Sequence, residues 1–193
     1  MADVQDMGTV KSKYSKHRIV FLAALSLIGG VLFFHLAKQD MSLFVLLKLM
    51  ACYATVTMAG VHDAIRRTIP NLITLSLIIV WAILSLIEVL CGAASFTDLG
   101  VSLASGILSV LFLYIALKLT KGGIGYGDVK LVGAIGLCTG IYFVLIMLLF
   151  ALLLCAVASL PEIVRKKQTW TKEIPFAPFI YAGYALILTL SLF

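Results

Sequence analysis

Lys121-Gly122-Gly123-Ile124-Gly125-Tyr126-Gly127-Asp128-Val129-Lys130-Leu131 separates two long apolar runs and sets a carboxylate at the mouth of the second. An ionisable side chain at membrane depth is expensive, so its default reading is functional, with a partner nearby. Glycine explains how such a stretch could be built. The four glycines between positions 122 and 127 let the chain turn sharply and let a neighbouring backbone come close. Irregular backbone at that depth is tolerated only when it is buried in protein or lines a water-filled cavity. The stretch therefore reads as the floor of a site, and the rest of the chain must supply a group to work with Asp128.

Composition sets the solvent. The 193 residues are 62% hydrophobic and 12% charged, with a mean hydropathy of +1.13; a soluble domain carries about 25% charged residues. The net charge of +6 sits in short basic clusters between apolar runs. That is a membrane-topology pattern and not the basic face of a nucleic-acid-binding module. Cys52, Cys91, Cys138 and Cys155 form no C-x-x-C pair, and the three histidines, His17, His35 and His62, form no H-E-x-x-H pattern. The cysteines read as packing residues, and no metal site or cofactor is expected.

The apolar runs predict an all-α, polytopic transmembrane bundle of about seven spans. A basic tail (1–18) precedes a membrane-embedded domain (19–193), with spans near 19–37, 43–60, 72–90, 100–119, 128–138, 141–160 and 176–193. The run 19–37 is longer than the apolar core of a signal peptide, and no small-x-small cleavage site follows, so it is read as a retained span. From Val129 to Leu160 the chain is almost wholly apolar. A single helix of that length would be roughly 48 Å long, against a hydrocarbon core of about 30 Å. A break is predicted at Cys138-Thr139-Gly140. With seven spans and the N-terminus inside, 13 of the 15 Lys and Arg residues fall on the cytoplasmic side. Lys38 falls outside, and Lys48 lies within a span, where it can snorkel.

That topology brings two acids to one face. Asp63 and Asp128 both emerge at the cytoplasmic end of a span, although 65 residues separate them in the chain. Asp40, Glu88 and Asp98 lie toward the outside, while Asp3, Asp6, Glu162 and Glu173 lie in polar tails or loops. Two aspartates facing each other across a water can hydrolyse a peptide bond without a metal. One removes a proton from the water, and the other donates to the carbonyl oxygen. Like charges a few ångströms apart cannot both ionise, and this drives the split of roles. Simpler readings stand beside this one. Asp63 could pair with Arg66 or Arg67, and Asp128 with Lys121 or Lys130; Lys130 could be a flanking charge, and His62 a loop residue.

Taken together, these residues resemble the type IV prepilin peptidases, membrane aspartic proteases of the G-x-G-D class. Gly125 to Leu131 matches that family's G-x-G-D-V-K-L signature. Asp63 followed by Ile69-Pro70-Asn71 is similar to its first aspartate and trailing I-P-N, and Ile174-Pro175-Phe176-Ala177-Pro178 to its late I-P-F-[GA]-P. The likeness covers roughly residues 43–193. It implies catalytic roles for Asp63 and Asp128, with Gly125, Gly127, Lys130, Pro70, Asn71, Pro175 and Pro178 shaping the site or touching substrate. It also implies cleavage of prepilins or pseudopilins, substrates with a short basic leader ending in Gly or Ala and then a hydrophobic helix, at the cytoplasmic face of the bacterial inner membrane, in company with pilus or secretion machinery. Longer members carry a cytoplasmic insertion with paired C-x-x-C motifs, associated with methylation. This chain resembles the short, peptidase-only members, such as those serving Flp-type (tight-adherence) pili, so no methyltransferase activity is expected. Two rivals remain. A presenilin or signal-peptide-peptidase type of intramembrane protease shares G-x-G-D, but here no P-A-L occurs. A proton- or cation-coupled transporter would place its carboxylates nearer the midplane.

Overall fold

Ser42 opens the first helix: its hydroxyl accepts a hydrogen bond from the Val45 amide at 3.3 Å, satisfying one of the amides a helix start leaves free. The structure, a computed structural model, describes residues 42–119, 125–164 and 176–190. The expected span 19–37, the basic tail, Lys121 and Pro175 lie outside the described residues. The described helices are α1 (Leu43–Arg66), α2 (Asn71–Leu90), α3 (Phe96–Leu119), α4 (Tyr126–Thr139), α5 (Ile141–Val164) and α6 (Ala177–Leu190).

Local chemistry sets each boundary. α1 ends where Arg67 takes a left-handed conformation, φ 53°, and its amide turns back to the Asp63 carbonyl at 2.8 Å. Pro70, extended and without an amide hydrogen, sits where α2 begins. Before α3, Ser95 and Asp98 form a reciprocal capping box. The Ser95 amide donates to Asp98 Oδ2 at 2.8 Å, and the Asp98 amide to Ser95 Oγ at 3.3 Å. The long apolar run from 129 to 160 breaks between Thr139 and Ile141. Gly140, at φ 86°, makes the turn that a side chain would strain.

α4 is the centre of the bundle, packing against α1, α2, α3 and α5. Val129, Leu131, Val132, Ala134 and Ile135 are all buried. Its 14 residues make a rod of about 21 Å, shorter than the hydrocarbon thickness of about 30 Å. α3 lies close along it because Gly136 faces Ser109; a Cβ at 136 would also come 3.1 Å from the Ser105 carbonyl oxygen. α6 packs against α1 and α5. Two buried phenols fasten it to α1: Tyr184 donates to the Leu49 carbonyl at 3.0 Å, and Tyr181 meets the Tyr53 hydroxyl at 2.9 Å. Consecutive α2 and α3 do not pack along each other; each leans on α4 instead. A strut joins all three, in which Trp81 Nε1 donates to Ser102 Oγ at 2.8 Å and Ser102 Oγ donates to the Leu137 carbonyl at 2.5 Å.

Outward-facing positions are apolar. Leu72, Ile79, Ile83 and Leu86 on α2, and Leu149, Leu152 and Leu153 on α5, are half or more exposed, an apolar skin far larger than soluble monomers carry. α1, α2, α3 and residues Ile141–Ala158 of α5 are each long and apolar enough to cross a membrane. The protein is an all-helical integral membrane protein. Lys48 does not snorkel: its Nζ meets Glu88 Oε2 at 2.5 Å, both side chains only 12% exposed, tying α1 to α2.

Candidate active site

Asp63 lies in the last turn of α1, one turn beyond Gly60, and is 7% exposed. Gly60 brings α1 against the start of α6. A Cβ there would already be in contact, 3.5 Å from the Ala177 carbonyl oxygen and 3.6 Å from the Pro178 Cα. This approach decides where the first amides of α6 donate. Pro178 has no amide hydrogen, and Phe179 and Ile180 both donate to the Phe176 carbonyl, at 2.9 and 3.2 Å. The Ala177 amide donates instead to Asp63 Oδ2 at 3.3 Å. The carboxylate thus sits at the positive end of the α6 dipole, where negative charge is favoured.

Asp128 stands at the third position of α4, after Gly125 as the cap, and is also 7% exposed. Its carboxylate reaches back for a hydrogen bond from the Gly125 backbone, the acidic half of a capping box. Glycine leaves room for this, because a Cβ on Gly125 would stand 3.2 Å from Asp128 Oδ2. Among the described residues, Asp128 Oδ1 is buried without a hydrogen-bond partner. Such an orphan is rare in a native interior and needs a reason. Asp63 lies near enough for its charge to act on Asp128.

The connector between α1 and α2 closes the site from the side. Ile69 lies over Gly127, where a Cβ would come 3.1 Å from the Ile69 Cβ. Pro70 starts α2, and Asn71 Oδ1 accepts from Lys130 Nζ at 3.0 Å. The Ile69-Pro70-Asn71 triplet therefore holds the first turn of α4 at two points. Pro178 is in the opening turn of α6. The structure thus brings together Asp63, Asp128, Gly125, Gly127, Lys130, Pro70, Asn71 and Pro178.

Asp63 forms no ion pair with Arg66 or Arg67, and Asp128 forms none with Lys130; the ion pair among the described residues is Lys48–Glu88. His62 is more than the loop residue its position suggests. It lies within α1, and its Nδ1 is 2.5 Å from the Thr68 carbonyl oxygen, clasping the connector to the helix end. A histidine six residues before the partner carbonyl leaves no sequence signal. Nor does the Ala177 amide, since a backbone donor looks the same at every position.

A profile of the type IV leader peptidase family matches residues 50–160, more than half of the chain and the segment that carries both aspartates. The chain belongs to the type IV leader peptidase family. Among curated relatives of this family member, the prepilin leader peptidase/N-methyltransferase of Aeromonas hydrophila is 34% identical over 129 residues, 65% of this chain and 43% of the relative. Proteins of the same name from Burkholderia pseudomallei (strain K96243) and Bacillus subtilis (strain 168) are each 33% identical. They align over 142 residues (71% of this chain, 44% of the relative) and 76 residues (39% and 31%). The chain thus spans less than half the length of the curated relatives it matches. No solved structure matches it significantly.

Proposed function

We propose that this leader peptidase hydrolyses the leader of prepilins or pseudopilins with Asp63 and Asp128 as an aspartyl pair, at the cytoplasmic face of the bacterial inner membrane. The carrying observation is that two acids 65 residues apart in the chain are both buried at one end of the bundle, in electrostatic reach of each other. Their settings differ, and the difference divides the work. Asp63, facing the α6 N-terminus, is suited to carry negative charge and act as the base. Asp128, with one oxygen lacking a donor among the described residues, is suited to hold the proton and act as the acid.

In this mechanism Asp63 removes a proton from water as the oxygen adds to the scissile carbonyl carbon, while Asp128 protonates the carbonyl oxygen. The gem-diol then collapses. Asp63 passes its proton to the leaving nitrogen, the C–N bond breaks, and Asp128 recovers a proton from the diol. No covalent intermediate forms. The cytoplasmic placement is supported by the clustering of Lys and Arg on the aspartate side of the predicted spans. Hydrolysis without methyl transfer is supported by the lack of any C-x-x-C pair in residues 1–193.

The test is co-expression with a prepilin, reading substrate size. Asp63→Asn and Asp128→Asn should each abolish leader removal while the protein still accumulates in membranes. Cleavage surviving in either variant would remove the paired mechanism.

A further inference from the structure

The departure of α2 from α3 leaves a wedge between them. Below the Trp81–Ser102–Leu137 strut the two helices stay apart, and α4 forms the floor of a cavity of about 470 Å³. Ile78 lines it from α2, Ile107, Leu111 and Tyr114 from α3, and Ala134 and Lys130 from α4. Ile107 and Leu111 are half or more exposed, so the wedge opens outward, toward lipid. Its lining is apolar throughout except at one end. There Lys130 stands two residues from Asp128 on the same helix, bonded to a neutral acceptor, Asn71 Oδ1.

A lipid chain can fill any outward-facing apolar groove. This one has two further properties: it ends at Lys130, in the helical turn of α4 that also bears Asp128 on its other side, and its charge is confined to that end. A long apolar object with a carboxylate at the same end complements both. We propose that the wedge between α2 and α3 seats the membrane-embedded helix of the protein substrate, with Lys130 meeting a carboxylate at that helix's inner end. This rests on the proposed hydrolysis of a leader joined to an apolar helix. Seated so, the helix runs along α4, and the chain preceding it rounds the N-terminal end of α4 to reach Asp128. Lys130 also repels a basic leader, so the substrate enters helix-side and not leader-side.

The test uses the full chain in vesicles with a single-span probe peptide. The probe has a lysine-rich leader, a glycine junction and a Leu/Ile/Val helix bearing one glutamate at its inner end. A photoreactive residue is placed at Leu111, or at Leu152 on α5 as the outward-facing control, in the Asp128→Asn background. Adducts with the probe should form at Leu111 in large excess over Leu152. Equal yields at the two positions, or lipid adducts alone at Leu111, would overturn the proposal. Cleavage of the probe by the unaltered chain is scored in parallel. Its failure counts against the hydrolytic reading, whereas cleavage without a Leu111 adduct counts against the wedge. For the charge, Lys130→Gln and a glutamate-to-glutamine probe should each raise KM by about fivefold, the size of one partly solvated ion pair. Combined, they should raise it no further; independent effects would remove Lys130 from the interaction.

Discussion

At Gly125 a single methyl group decides where a carboxylate can sit. A Cβ there would stand 3.2 Å from Asp128 Oδ2, tighter than ordinary contact, so Gly125→Ala must push the carboxylate aside or lengthen its backbone hydrogen bond. Misplacing a reacting group by about 1 Å can cost about 100-fold in rate. Gly125→Ala is therefore expected to lower kcat for leader cleavage by that order, with thermal stability in detergent close to that of the unaltered protein. An equal loss of stability would mean that the glycine serves folding and not the carboxylate. Pro178 makes the opposite contribution. By lacking an amide hydrogen it leaves the Ala177 amide for Asp63 with no second free donor beside it. That role could not be read from the Pro175-Phe176-Ala177-Pro178 string, because the string says nothing about which acid its helix will face.

At the scale of helices, two kinds of link hold α1, the helix that presents Asp63, to its neighbours. Tyr184 and Tyr181 fasten α6 to α1 through neutral hydrogen bonds, each worth about 1 kcal/mol. Lys48 and Glu88 fasten α1 to α2 through a largely buried ion pair. Removing one partner of such a pair strands a charge at a cost of about 3–5 kcal/mol, whereas replacing both with apolar residues is often neutral. Lys48→Met should accordingly lower the unfolding midpoint clearly more than Tyr184→Phe does. Lys48→Met combined with Glu88→Leu should recover most of the loss. Additive losses in the double variant would show that the two charges are separately solvated. Sequence reading leaves Lys48 free to snorkel because hydropathy reports only how apolar a helix is. It does not report which neighbour a polar side chain faces. The break at Gly140 was legible for the converse reason: the run from Val129 to Leu160 is too long for one crossing, whatever packs beside it.

For the whole molecule, counting spans and basic residues was enough to set Asp63 and Asp128 at one end of the bundle, where the structure also has them. The parting of α2 from α3 was not legible, since it depends on how both lean on α4 and no periodicity encodes that. The proposed cytoplasmic placement of the aspartate end rests on charge. The linker joining α2 to α3 holds no Lys or Arg, while Arg66 ends α1 and Arg67 begins the connector to α2. The positive-inside bias supports the proposed orientation, with the linker outside and the aspartates inside. A native reporter stands at the right place: Cys91 is an exposed free thiol at the end of α2, whereas Cys52 is buried and Cys138 and Cys155 are partly so. A membrane-impermeant maleimide added to spheroplasts should label the protein, and Cys91→Ser should abolish most of that signal. Sealed inverted vesicles should protect the same thiol. Labelling from the inverted side alone would put the linker in the cytoplasm and Asp63 and Asp128 outside, away from a leader that has not crossed the membrane, and the proposed reaction would lose its substrate.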